Sequence, residues 1–152
     1  MDKFAESANR AAKSLSTTTT EYTDASLIFF QQGLGAKEVE ERTAITIKMA
    51  QAAGESATDI SSYMTAIWNN FEGGKETLQG FADSMVRLGA DTAASSSEIA
   101  TSLEKFASIG ETVGLSFDYA TAAATTIIDK TRAGAETVGT ALKTIFARLE
   151  GL

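Results

Sequence analysis

The chain contains no cysteine, no histidine and no proline. The first absence excludes a disulfide framework and thiolate metal sites, and leaves the redox compartment open. The second removes the commonest general base and the commonest zinc ligand together. Without proline the strongest helix breaker is missing, so the 12 glycines become the main punctuation. Positive charge is also scarce: 13 lysines and arginines stand against 20 aspartates and glutamates, a net charge of −7. Such a surface repels phosphate backbones and anionic headgroups, so neither nucleic acid nor a membrane is expected as a partner. Long apolar runs are absent too. Tyr119–Ile128 is uncharged but Ala/Thr-rich, far shorter than the roughly 20 apolar residues a bilayer requires. The opening MDKFAESANRAAKS lacks the apolar core of a signal peptide.

What remains is helix. The stretch Asp59–Phe71, DISSYMTAIWNNF, places Ile60, Tyr63, Met64, Ile67, Trp68 and Phe71 on one helical face and holds the only tryptophan. Ser56-x-x-Asp59 precedes it as a capping-box-like start. The pattern returns 39 residues on, with Ile99, Leu103 and Phe106 for Ile60, Met64 and Ile67. It returns again, after another 39, as Val138, Leu142 and Ile145. A period in this range signals stacked repeats, each burying its apolar face on its neighbours.

In chain order, residues 1–15 form a helix through Phe4, Ala8, Ala11, Ala12 and Leu15, and STTTT (16–20) is a linker or cap. Glu21–Gln32 carries the consecutive Leu27, Ile28, Phe29 and Phe30, too apolar for a helix with one wet face, and ends at Gly33 and Gly35. Ala36–Ala53 runs to Gly54, and a break at Gly73–Gly74 follows the tryptophan helix. Thr77–Leu88 points Leu78, Phe81, Ala82, Met85 and Leu88 inward and stops at Gly89. Ser95-x-x-Glu98 caps Ser97–Ile109, with Gly110 and Gly114 kinking or ending it. Ser116 caps Phe117–Thr131, whose inward face is Phe117, Ala120, Ala124, Ile127 and Ile128. Ala135–Glu150 closes the chain with Val138, Leu142, Ile145 and Leu149 facing inward. The expected fold is all-α, seven to eight helices as stacked antiparallel hairpins of about 39-residue period. Residues 1–20 form an N-terminal helix and linker, and 21–152 a single helical-repeat domain.

No arrangement points to catalysis. Glu38, Glu40 and Glu41 resemble a carboxylate cluster, yet Glu38, Glu41 and Arg42 have the spacing of an ion pair on a solvated helix face. Asp24 and Asp59 sit near helix starts as caps, and Asp118 and Asp129 are about three turns apart. No serine has a histidine to activate it, and Lys105, Lys130 and Lys143 lie in no distinctive Ser–Lys motif. Gly33/Gly35 and Gly110/Gly114 lack the strand and spacing of a nucleotide loop. Arg132, Lys143 and Arg148 are a small basic group near helix ends. Phe29, Trp68 and Phe71 read as core, while Phe30 and Phe146 sit at the edge of an inward face, where a stacked domain meets its neighbour. Catalytic, cofactor-binding and metal residues are therefore all expected to be none.

Several stretches resemble a known family. TDASLIFFQQGLGAKEVEERTAITIKMA, SSYMTAIWNNF, SSSEIATSLEKFASIGETVGLSFDYATAA and VGTALKTIFARLEGL are similar to the tape measure proteins of long-tailed bacteriophages and prophages, from about Phe4 to Leu152. The most recognisable segment is a G-T-A-L-[RK]-T-x-x-x-R-L pattern, here running from Gly139 to Leu149. The resemblance implies a helical chain threaded through the tail tube, whose length sets tail length and which scaffolds tube polymerisation. It implies tail-tube proteins, tail assembly chaperones and distal-tail or tip proteins as partners, with self-association open. It also implies residence in the tail lumen after assembly and in the host cytoplasm before. No cofactor and no small-molecule substrate are implied, and nothing here resembles the peptidoglycan-cleaving domain some members carry. Family members are usually far longer, so the chain reads as an excised module.

Glycine stops about every twenty residues argue against one continuous helix, so this region is expected to be a folded block and not the measuring rod itself. Two other functions compete. One is a helical-repeat module that binds a peptide or helix in a groove; the other is an enzyme, which requires a polar pocket with convergent carboxylates or lysines.

Overall fold

The computed structural model describes residues 2–71 and 77–151, with side chains from residue 5 onward. Among the described residues every regular element is an α-helix: α1 (Asp2–Ser14), α2 (Thr19–Gln31), α3 (Ala36–Ala53), α4 (Ala57–Phe71), α5 (Leu78–Asp91), α6 (Ser96–Thr112), α7 (Phe117–Thr131) and α8 (Ala135–Glu150). The protein is all-α, as its periodicity implies. The Gly73–Gly74 break and the Phe4 side chain lie outside the described residues.

Hydroxyl caps start most of the helices. Thr18, Thr77, Ser95 and Ser116 each accept a bond from the backbone N–H three residues on, and Ser95 with Glu98 completes a capping box. Ser56 accepts from the Asp59 N–H at 3.1 Å and donates to its carboxylate at 2.7 Å. Each bond satisfies a backbone donor that the first turn leaves without a helical partner. Because Thr18 is the cap, α2 begins at Thr19, inside the segment expected to be linker.

Gly89 is not the stop expected of it, and of the two outcomes left open at Gly110 the helix continues. α5 continues through Gly89 to Asp91, and α6 through Gly110 to Thr112. At Gly89 a side chain would strike the backbone of Ser96, so close packing of a turn, rather than helix termination, requires the glycine. Gly54, by contrast, closes α3 in the left-handed conformation with φ of 72°.

The chain divides into two compact units, Met1–Ser62 and Tyr63–Leu152, with the division inside α4. In the first, α1 packs on α2 and α2 on α3. Val39, Arg42, Thr43, Ile45, Thr46, Ile47, Met49 and Ala50 of α3 are all buried, so this helix is covered on more than one side. In the second unit α6 is central, meeting α5, α7 and, most extensively, α8. Phe81 and Phe71 both meet Phe117 edge-on, with centroids 4.5 and 5.7 Å away. Phe106 packs on Phe146 at 5.7 Å. Such aromatic pairs contribute about 0.5–1.5 kcal/mol each beyond the area they bury.

Buried positions of α4 reappear 39 residues on in α6: Ile60, Met64 and Ile67 are buried, and so are Ile99, Leu103 and Phe106. In α8 Val138 and Leu142 keep that register, but Ile145 and Leu149 do not, being 52% and 55% exposed. Phe146, expected at an edge, is the buried residue there. α8 is rolled toward its Val138–Leu142–Phe146 side because Gly139 lets that side approach α6 closely. Within α7, Ile128 is fully buried and Ile127 only partly.

Candidate interaction surface

At the C-terminal end of α6, the Leu115 N–H donates to the Gly110 carbonyl at 2.8 Å and Gly114 turns the chain with φ of 75°. That turn presents Val113 and Leu115, after which Ser116 starts α7 and projects Tyr119 outward, 59% exposed. The end of α8 supplies the opposite wall through Phe146, Leu149 and Glu150. Together they line an open groove of about 490 Å³. Its walls are mixed, with Val113, Leu115, Phe146 and Leu149 as the apolar part and Thr112, the Tyr119 phenol and the Glu150 carboxylate as the polar part. Ile145 extends the exposed apolar surface one turn along α8.

The first unit carries a more polar groove of about 450 Å³ between α1, α2 and α3, lined by Ser7, Arg10, Ser14, Tyr22 and Glu40 among others. Burial pushes the Tyr22 hydroxyl above its ordinary value of 10.0, and the Glu40 carboxylate adds to the shift. A smaller apolar pocket of about 60 Å³ adjoins it, lined by Ala8, Tyr22, Phe30 and Val39.

The residues that sequence reasoning weighed for chemistry are scattered. Glu40 and Glu41 are exposed, and Glu38 reaches along its own helix to Arg42, with Glu38 Oε1 2.7 Å from Nη2 and 3.1 Å from Nε. Arg42 is not on a solvated face as expected; it is 1% exposed. It falls between Val39 and Thr46 on the covered side of α3, so its guanidinium is buried with them. Asp24 is exposed, and Asp59 serves the Ser56 cap. Asp118 is exposed at the start of α7, whereas Asp129 accepts the Ala93 N–H at 2.9 Å and pairs with Lys130 at 3.1 Å. These contacts, the backbone bond first, hold the Asp129 carboxyl below its ordinary value of 3.8. Arg132, in the left-handed region, donates to the Ala93 carbonyl and ties the same turn to α7. Lys105 pairs loosely with Glu136 at 3.5 Å, and Lys143 and Arg148 are exposed. Phe29, Trp68 and Phe71 are core; Phe30 is partly exposed.

Among the described residues no three acidic, cysteine or histidine side chains gather as a metal site. No described helix is long and apolar enough to cross a membrane. Tyr119 and the outward Ile145–Leu149 pair escaped the sequence reading. The available signal was the width of the α8 apolar face, since Val138, Leu142, Ile145, Phe146 and Leu149 spread over more of the helix than one seam covers.

Among the described residues the fold is all-helical and its larger surface features are shallow grooves of mixed polarity. The chain is a member of the phage-related minor tail protein family, whose profile matches residues 6–151. Searches among curated proteins and among solved structures gave no match. Membership makes it a phage tail protein, a structural component of the virion tail.

Proposed function

We propose that the chain is a folded helical module of a tape measure protein, contributing to tail length control and to tail-tube assembly, with no catalytic activity. The observation that carries this reading is the Gly139–Leu149 segment. Its sequence resembles the tape measure pattern, and in α8 each part of it has a physical use. Gly139 permits close approach to α6, Leu142 and Phe146 fill the seam, and Ile145, Arg148 and Leu149 face outward toward a partner. The partners on this reading are the tail-tube protein, tail assembly chaperones and distal-tail proteins. The module works in the host cytoplasm during assembly and lies in the tube lumen afterwards.

A second reading is a groove-binding helical module that captures a peptide or helix, favoured by the Val113–Tyr119–Leu149 groove. Disruption of the gene in its phage separates the two. The tape measure reading predicts particles without tails, or tubes of uncontrolled length, in electron micrographs. Tails of normal number and length overturn it.

A further inference from the structure

One four-helix plan occurs twice in the chain, as α1–α4 and α5–α8. In sequence, Phe4, Ala5, Ser7 and Arg10 return 77 residues later as Phe81, Ala82, Ser84 and Arg87. Burial follows the same step: Tyr22, Ala25, Ser26 and Phe29 of α2 fall on Ile99, Ser102, Leu103 and Phe106 of α6, all of them buried. At a step of 78, buried Val39, Thr43, Thr46 and Ala50 of α3 fall on buried Phe117, Thr121, Ala124 and Ile128 of α7. Gly54 and Arg132, the left-handed residues closing these two helices with φ of 72° and 53°, are also 78 apart.

The last helices of the two plans, α4 and α8, agree on one side and differ on another. Ile60, Met64 and Trp68 are buried, and so are their counterparts Val138, Leu142 and Phe146. Asn69 and its counterpart Ala147 are both exposed. Ile67 and Phe71, however, are 0% and 8% exposed, whereas Ile145 and Leu149 are 52% and 55% exposed. What lies against this end of α4 is visible inside the Tyr63–Leu152 unit. Trp68 Nε1 donates to the carbonyl of Leu78, the first residue of α5, at 3.2 Å. The Phe71 ring stands edge-on to Phe117, the first residue of α7. The end of α4 is therefore met by the first and third helices of the plan that follows it.

We propose that the Ile145–Leu149 face of α8 is the seat of a third recurrence of this plan, joined after α8 in the same polypeptide. That recurrence presents the N-terminal ends of its first and third helices, as α5 and α7 do to α4. Its third helix opens with a large apolar residue, which packs on Leu149 as Phe117 packs on Phe71. Phe146 stands where Trp68 stands in α4 and has no N–H, so the bond to the first helix is not repeated and apolar contact holds the face. A covalently joined occupant also suits the size of the face. Two side chains fall far short of the roughly 1,000 Å² that a specific interface between separate chains clears, whereas a tethered helix pair meets the face at high effective concentration. The proposal stands on the internal correspondence and not on the tape measure reading.

The chain has no cysteine, so a single introduced thiol reports on its own position. Ile145→Cys and, as a control, Ala147→Cys are each made in the 152-residue chain and in an extended chain. In the extended chain residues 1–150 run directly into a second copy of residues 73–152, which repeats the spacing between α4 and α5. Thiol labelling rates are compared, with circular dichroism as the check that the 152-residue variants are folded. The thiol at 145 is expected to react freely in the 152-residue chain and about tenfold or more slowly in the extended one, with the thiol at 147 unchanged. Equal rates at 145 in the two chains overturn the proposal, whether or not the added helices fold. So does equal slowing at 145 and 147. Slowing at 145 in the 152-residue chain that grows with protein concentration assigns the face to a second copy and overturns it too.

Discussion

Gly139 of α8 packs on the Ser102 backbone of α6 so closely that a Cβ at position 139 would stand 2.5 Å from the Ser102 carbonyl oxygen. It would also meet the Lys105 Cβ at 2.8 Å. A backbone atom cannot swing aside as a side-chain tip can, so any side chain here must push the two helices apart. Gly139→Ala is expected to destabilise by about 1–3 kcal/mol despite the better helix propensity of alanine. Urea unfolding monitored by circular dichroism measures it, and unchanged or raised stability contradicts the close seam.

The burial register makes a paired prediction. Phe106→Ala is expected to cost about 3–5 kcal/mol, because the ring is fully buried against Phe146 and leaves a cavity. Ile145→Asp should change the stability of the monomer by less than about 0.5 kcal/mol, since its side chain is already in water. Thermal melts of the two variants at low protein concentration give the comparison. Equal losses would place Ile145 in the core.

The buried hydroxyls of α3 predict a gain. The Thr43 and Thr46 oxygens are enclosed and make no hydrogen bond among the described residues. Thr46→Val exchanges such a hydroxyl for a methyl of the same shape, and a stabilisation of about 1 kcal/mol is expected. A measured loss would mean that the hydroxyl has a partner, such as an enclosed water.

Two groups give the chain opposite pH limits. Asp129 has a folded pKa lowered by the Ala93 N–H and Lys130, so its carboxylate stabilises the fold above the ordinary value of 3.8, and that contribution fades as the pH falls through the folded value. Tyr22 has a folded pKa raised by burial and Glu40, so its contribution is complete below 10.0 and fades as the pH rises through the folded value. Asp129→Asn should flatten the acid limb of a stability–pH profile, and Tyr22→Phe the alkaline limb. An acid limb that is unaltered in Asp129→Asn contradicts the turn contact.

Helix positions were legible in the sequence because hydroxyl caps and apolar spacing mark them locally, as at Ser95–Glu98 and Ser116. Which side of a helix is buried was legible only where one neighbour covers it. In α4 and α6 the register gave Ile60, Met64, Ile99 and Leu103 correctly. In α8 the five apolar residues permit two rotations, and the choice between Ile145 and Phe146 is made by Gly139 against Ser102, a contact no local pattern encodes. Arg42 shows the converse limit. Its spacing from Glu38 suggests a surface pair, but α3 is enclosed on several sides and takes the guanidinium inside. Gly89 looked like a terminator because glycine so often is one. Its actual setting, inside a helix that crowds the Ser96 backbone, depends on tertiary approach.

The central claim is that this segment acts in the tail as a folded helical block within a length-determining protein. An in-frame tandem duplication of the segment in the phage gene, followed by tail-length measurement in electron micrographs, tests it most directly. A folded block predicts tails within the wild-type length distribution. Drawn out as one continuous helix, the added residues would span about 230 Å, and tails longer by that amount would contradict the account.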